Sequence, residues 1–123
     1  MIFSSKNASS LMVGVAAIFA TAAPSVSAYP DVSVVNSTPH DVKGRVEYLS
    51  WLCTDDGYTA TPELKWSNGR GACLITDVKA TMHPDGGSPI GCAPYKSSGT
   101  SYSQFAVLYD ASSNECQVTR IVN

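Results

Sequence analysis

The sequence holds two histidines, His40 and His83, each in or beside a proline-bearing turn. Two imidazoles can act as acid and base in metal-free cleavage of RNA, with Glu47 assisting and Arg45 or Arg70 stabilising the phosphorane charge. His83, Asp85 and Ser88 supply the residue types of a hydrolytic triad, but all three fall in one connecting loop. A triad draws its members from distant segments held rigid by a larger scaffold, and no nucleophile-elbow sequence surrounds any serine. Asp55, Asp56 and Asp85 could offer oxygens to calcium, which takes about six to eight of them. Two aspartates followed by Gly57 fit a turn better, because Asp bonds its own backbone and Gly tolerates positive φ. The sequence therefore assigns no catalytic residue, no metal and no cofactor.

Four cysteines, Cys53, Cys73, Cys92 and Cys116, are a stronger signal. They stand too far apart in sequence for the close ligand pairs of a zinc site, and an even number in an exported chain reads as two disulfides. Of the three possible pairings, Cys53 with Cys73 and Cys92 with Cys116 is favoured. It closes loops of about 20 and 24 residues, each worth roughly 3 kcal/mol in the chain-entropy model.

Aromatic residues offer a further kind of chemistry. Trp51, Tyr58 and Trp66 fall in an irregular, loop-rich stretch, whereas Tyr48, Phe105 and Tyr109 fit a core. Loop aromatics can serve as stacking platforms for sugars or as anchors for a partner's side chains, so Trp66, Trp51 and Tyr58 are the candidate ligand-binding residues. Asn36, Ser37 and Thr38 form an N-glycosylation sequon on a predicted turn, followed directly by Pro39.

The elements that must position these groups are strands. Val32 to Val35 is a β-branched cluster ending in the turn-forming Asn36 to Pro39. From Val42 to Trp51 the residues alternate, with Val42, Gly44, Val46 and Tyr48 on the expected core side and Lys43, Arg45 and Glu47 on the solvated side. Leu52 to Gly71 reads as loops around one short segment at Tyr58 to Thr61. Leu74, Thr76, Val78, Ala80 and Met82 then alternate against Ile75, Asp77, Lys79 and Thr81. Beyond the Pro84 to Pro89 turn come a proline-bearing edge run from Ile90 to Tyr95, a turn over Ser97 to Ser101, a strand over Tyr102 to Tyr109, and a last strand from Cys116 to Val122. No amphipathic helix pattern appears. The expectation is an all-β, disulfide-stapled antiparallel sandwich or barrel of about 6–7 strands.

A polar start with Lys6, an apolar run from Leu11 to Ala23, and small residues at Val26, Ser27 and Ala28 predict a signal peptide over 1–28, cleaved to leave one domain over 29–123. The apolar run is shorter than the ~20 residues a bilayer span requires, so no transmembrane anchor is expected. Net charge is −2, and losing Lys6 leaves the remainder slightly more acidic. No Lys/Arg cluster stands in the sequence, so nucleic acid is not an expected partner. These readings point to a secreted, non-catalytic binding module that contacts a glycan or an extracellular protein surface. The alternatives are a small hydrolase of the metal-free ribonuclease type using His40 and His83, and a toxin-like or self-associating structural protein.

Overall fold

A computed structural model describes residues 28–121. The leader expected over 1–28 lies, apart from Ala28, outside the described residues. The rest is all-β, in strands β1 (Val32–Asn36), β2 (Asp41–Tyr48), β3 (Asp56–Ala60), β4 (Lys65–Asn68), β5 (Ile75–His83), β6 (Ile90–Gly91), β7 (Tyr95–Thr100), β8 (Gln104–Asp110) and β9 (Glu115–Arg120). They form a two-sheet sandwich. One sheet has the order β9-β8-β1-β4; in the other, β5 pairs with β2 on one side and with β6 and β7 on the other, and β3 lies outside β2. All pairs are antiparallel except β1 with β8, where Ser33 lies opposite Gln104.

The strand count exceeds the expected six or seven for local reasons. Asp56-Gly57 and Asn68-Gly69 read as turns, yet Gly57 lies in the ladder opposite Arg45, and Asn68 lies opposite Val32. The stretch Ser97 to Thr100, expected as a turn, belongs to β7, whose pairing runs from Tyr95 opposite Val78 to Thr100 opposite Ile75.

The inner faces pack Val32, Val34, Val42, Val46, Val78, Met82, Phe105, Val107 and Val118 into one core. Along β5 the alternation holds for Val78, Ala80 and Met82 and then breaks, since Ile75, which the alternation sets in one row with Asp77, Lys79 and Thr81, is fully buried. Glu47 pairs with Asp77 and Tyr48 with Ile75, so Thr76 is an extra residue. Its hydroxyl donates to the Glu47 carbonyl at 3.3 Å. Such a bulge shifts the phase of the pleat by one position and turns Ile75 inward.

The disulfides are Cys53–Cys73 and Cys92–Cys116, the favoured pairing. The second staples the two sheets along one side. Beside it the Ala93 N–H donates to the Cys116 carbonyl and the Val118 N–H to the Ala93 carbonyl, both at 2.8 Å.

On the other side the sheets are joined by Asn36. Its side-chain amide donates to the carbonyls of His40 at 2.7 Å and Ala60 at 2.8 Å, while its oxygen accepts the Thr38 N–H at 2.9 Å. Asn36 has no exposed surface, and Thr38 is nearly as buried. The nitrogen that would carry a sugar at the Asn36 sequon is thus sealed in a polar bridge in the folded domain. A three-residue sequon does not reveal burial.

Candidate functional site

At the end of β2, Tyr48 turns its hydroxyl to Asp56, donating to Oδ2 at 2.6 Å, while Asp56 Oδ1 accepts from Asn68 Nδ2 at 3.1 Å. Burial first, and then this bond, push the Tyr48 phenol well above the ordinary tyrosine range. The pair closes the base of the loop between β2 and β3. Inside the loop the Cys53 N–H donates to the Ser50 carbonyl at 2.9 Å, and the Leu52 N–H donates to Ser50 Oγ at 3.1 Å. Trp51 and Leu52 thus occupy the two central positions of a β-turn, where side chains point away from the chain reversal. Trp51 is 90% exposed, Leu52 74% and Leu49 58%.

The turn is held firmly from behind. Cys53 is bonded to Cys73, and the Leu49 N–H donates to the Leu74 carbonyl at 2.9 Å. Arg70, three residues before Cys73, is buried and makes no salt bridge among the described residues. Its guanidinium instead donates to the carbonyls of Pro30 (3.1 Å), Thr100 (3.2 Å), Ser101 and Tyr102 (3.1 Å) and to Ser103 Oγ (2.7 Å). Tyr29 lies against its charge with the ring centroid 5.2 Å away. Desolvation pulls the Arg70 pKa down, yet a guanidinium remains charged at any ordinary pH. One side chain therefore ties the start of the domain, the β4–β5 connection and the β7–β8 connection together at this end of the sandwich.

The structure separates the aromatic candidates. Trp51 stands free on the turn. Tyr58 is buried, a correction to its expected role as a contact residue. It lies opposite Gly44, and a side chain at 44 would collide with its ring and with the Lys79 carbonyl. The Tyr58 hydroxyl donates to that carbonyl at 2.6 Å. Trp66 is half-buried and stacks on Tyr58, with ring centroids 5.2 Å apart and an interplanar angle of 28°. Tyr58 and Trp66 thus meet each other between the sheets rather than joining Trp51. Leu49 and Leu52 are exposed apolar neighbours of Trp51 that sequence reading did not single out; the available signal was two leucines flanking a tryptophan just where the β2 alternation fails.

The catalytic inventory is dispersed. Asp41 pairs with His83 and Glu47 with Asp77, which puts Glu47 about 20 Å along the sheet from His83. Arg70 has committed its donors to backbone carbonyls. The His40 ring packs edge-on against Tyr109, 6.5 Å between centroids. Both Asp56 oxygens are engaged as described, and Asp85 belongs to the opposite end. No group of three or more potential metal ligands occurs among the described residues. An open groove of about 820 Å³ lies beside Leu108, Tyr109, Asp110, Asn114 and Glu115. Its polar groups largely satisfy one another: Tyr109 donates to Asn114 at 2.7 Å, and Asp110 accepts from Ser112 N–H and Oγ.

The fold and this end surface define a small, disulfide-stapled β-sandwich that presents an apolar turn. No protein-family model matches the chain, and no curated protein matches it in sequence. A solution NMR structure of a protein from Eubacterium rectale is similar, with a TM-score of 0.56 over 83% of this chain and 97% of that one at 13% identity. That likeness concerns the fold alone.

Proposed function

We propose that the domain is a non-catalytic binding module of the extracellular space that docks on another protein by seating the Trp51–Leu52 turn in an apolar pocket of that partner. The carrying observation is the exposure of Trp51 and Leu52 on a turn closed by a disulfide. Single exposed apolar residues are ordinary, but Leu49, Trp51 and Leu52 together make a patch on the order of 500 Å², the size at which a monomer's largest apolar patch is commonly functional. Covering it is worth roughly 10 kcal/mol before the losses of association are set against it.

Several features favour a protein partner. The tip is convex and preorganised, as expected of an aromatic anchor that fills a pocket, and a rigid turn gives up little entropy on docking. A sugar platform needs hydrogen-bonding groups around the ring, whereas here Leu49 and Leu52 flank Trp51 and the Ser50 hydroxyl is engaged by the Leu52 N–H. Two disulfides in so small a domain suit an oxidising compartment, in keeping with the leader expected from the sequence.

The test places a photo-crosslinking residue at position 51, with one at exposed Ser98 as control, in the oxidised chain incubated with extracellular material from the producing cells. The expected result is a protein adduct from position 51 alone, whose purified partner binds Trp51→Ala roughly ten-fold or more weakly. Equal binding of the variant overturns the proposal. So does a saturable glycan-array signal that perturbs tryptophan emission while no protein adduct forms.

A further inference from the structure

The outer face of the five-stranded sheet collects charge that the sequence scatters. Lys43 and Arg45 on β2, Lys79 on β5 and Lys96 on β7 all stand there, leaving Lys65, Arg70 and Arg120 for the rest of the described chain. Arg45 lies directly opposite Lys79 in the ladder. Like charges in that position oppose pairing, and the Glu47 carboxylate that reaches Lys79 relieves part of the repulsion.

Three acids stand on the same face, Asp41 and Glu47 on β2 and Asp77 on β5, and leave an excess of one positive charge. Glu47 reaches Lys79 at 3.0 Å and Asp77 reaches Lys96 at 2.7 Å. Lys43 and Arg45, both exposed, have no carboxylate within 4.0 Å among the described residues. Their surroundings keep them accessible: Gly57 lies opposite Arg45, Thr59 and Thr81 lie opposite Lys43, and Gly91 lies beyond Thr81. The surface is flat and lined with hydroxyls, and its small positive excess lies at Arg45 and Lys43, beside Asp41.

We infer that this face is a second binding surface, independent of the Trp51 turn, for a linear anionic polysaccharide of the uronate or sulfated class. Same-face neighbours repeat at about 7 Å along a strand and about 5 Å across strands, so an extended chain bearing an acid group on successive sugars can meet Arg45, Lys43 and Lys79 together. The Thr59 and Thr81 hydroxyls are placed to bond sugar oxygens. Nucleic acid fits less well, because no Trp, Tyr or Phe stands on the outward positions of β2 or β5 to stack a base.

The experiment measures retention of the oxidised chain on immobilised polygalacturonate, heparin and polyuridylate over a salt gradient. Lys43→Glu/Arg45→Glu is compared with Lys65→Glu/Arg120→Glu, which changes net charge equally on other surfaces. The expected result is salt-sensitive retention on polygalacturonate or heparin, weakened roughly ten-fold or more by the first variant and little by the second. Trp51→Ala should bind like the native chain. Absence of retention, equal loss in both charge variants, or stronger retention on polyuridylate at matched salt each overturns the inference.

Discussion

Gly44 and Tyr58 face each other across β2 and β3, and the phenol occupies the space that a side chain at 44 would need. The pair explains why one strand tolerates a glycine in its interior and why an aromatic residue of the loop-rich region is buried. Gly44→Ala is expected to destabilise the domain by about 3 kcal/mol through overpacking against backbone that cannot yield. Tyr58→Phe, which removes only the bond to Lys79, should lose about 1–2 kcal/mol. Denaturant unfolding measures both, and binding through Trp51 should be unchanged in the phenylalanine variant.

Asn36 makes an equally specific prediction. The chain secreted from a glycosylating host should carry no sugar at Asn36, which intact-mass measurement reads directly. Asn36→Ala should lower stability by about 2–4 kcal/mol, because the carbonyls of His40 and Ala60 and the Thr38 N–H then lose a buried partner.

Arg70→Lys retains a charge but not the planar fork of donors. Lysine has one nitrogen and cannot satisfy the Pro30, Thr100 and Tyr102 carbonyls at once, so a loss of about 2–4 kcal/mol is expected. Amide hydrogen exchange should accelerate first across 100–103 and around Tyr29.

The two disulfides should be separable. Replacing either pair by serine should lower stability by about 3 kcal/mol. Only Cys53→Ser/Cys73→Ser should also weaken partner binding, since that bridge holds the Trp51 turn while Cys92–Cys116 staples the sheets. Comparing affinity with unfolding midpoint for the two double variants checks this.

Stability should decline at both ends of the pH range. The phenols of Tyr48 and Tyr58 sit well above the ordinary tyrosine value, the first by burial and then its Asp56 bond, the second by burial. Unfolding returns both to about 10. Above that pH the unfolded chain releases protons that the folded one retains, so stability falls as pH rises, and Tyr58→Phe flattens the fall. Asp77 is shifted the other way, held below the usual carboxylate range chiefly by the Lys96 hydrogen bond. Its contribution is complete at neutral pH and is lost as pH drops through that lowered value, where the unfolded state takes up the proton first. Asp77→Asn should remove this part of the acid slope.

Much of the fold was legible because period-two patterns in Val42 to Glu47 and in Val78 to Met82 survive into the structure. The phase break at Ile75 was not legible because a bulge is a property of two strands together, and nothing in one strand announces it. β4 went unread for a different reason: Lys65-Trp66-Ser67-Asn68 buries only part of Trp66, so no alternation marks it. Trp51 was legible as an aromatic residue beside Cys53, but the exposure of its leucine neighbours depends on the Ser50–Cys53 turn. The charged face was invisible in sequence because register, not proximity along the chain, assembles it.

The parallel pairing of β1 with β8 has a kinetic consequence. The first strand of the described residues sits inside its sheet, between β4 and β8, and Val34 cannot be covered on that second flank until Phe105 has been synthesised. A domain whose innermost ladder joins such distant segments has high contact order and folds slowly, after nearly all of the chain is available. Fragments ending before β8 should therefore gain no native protection.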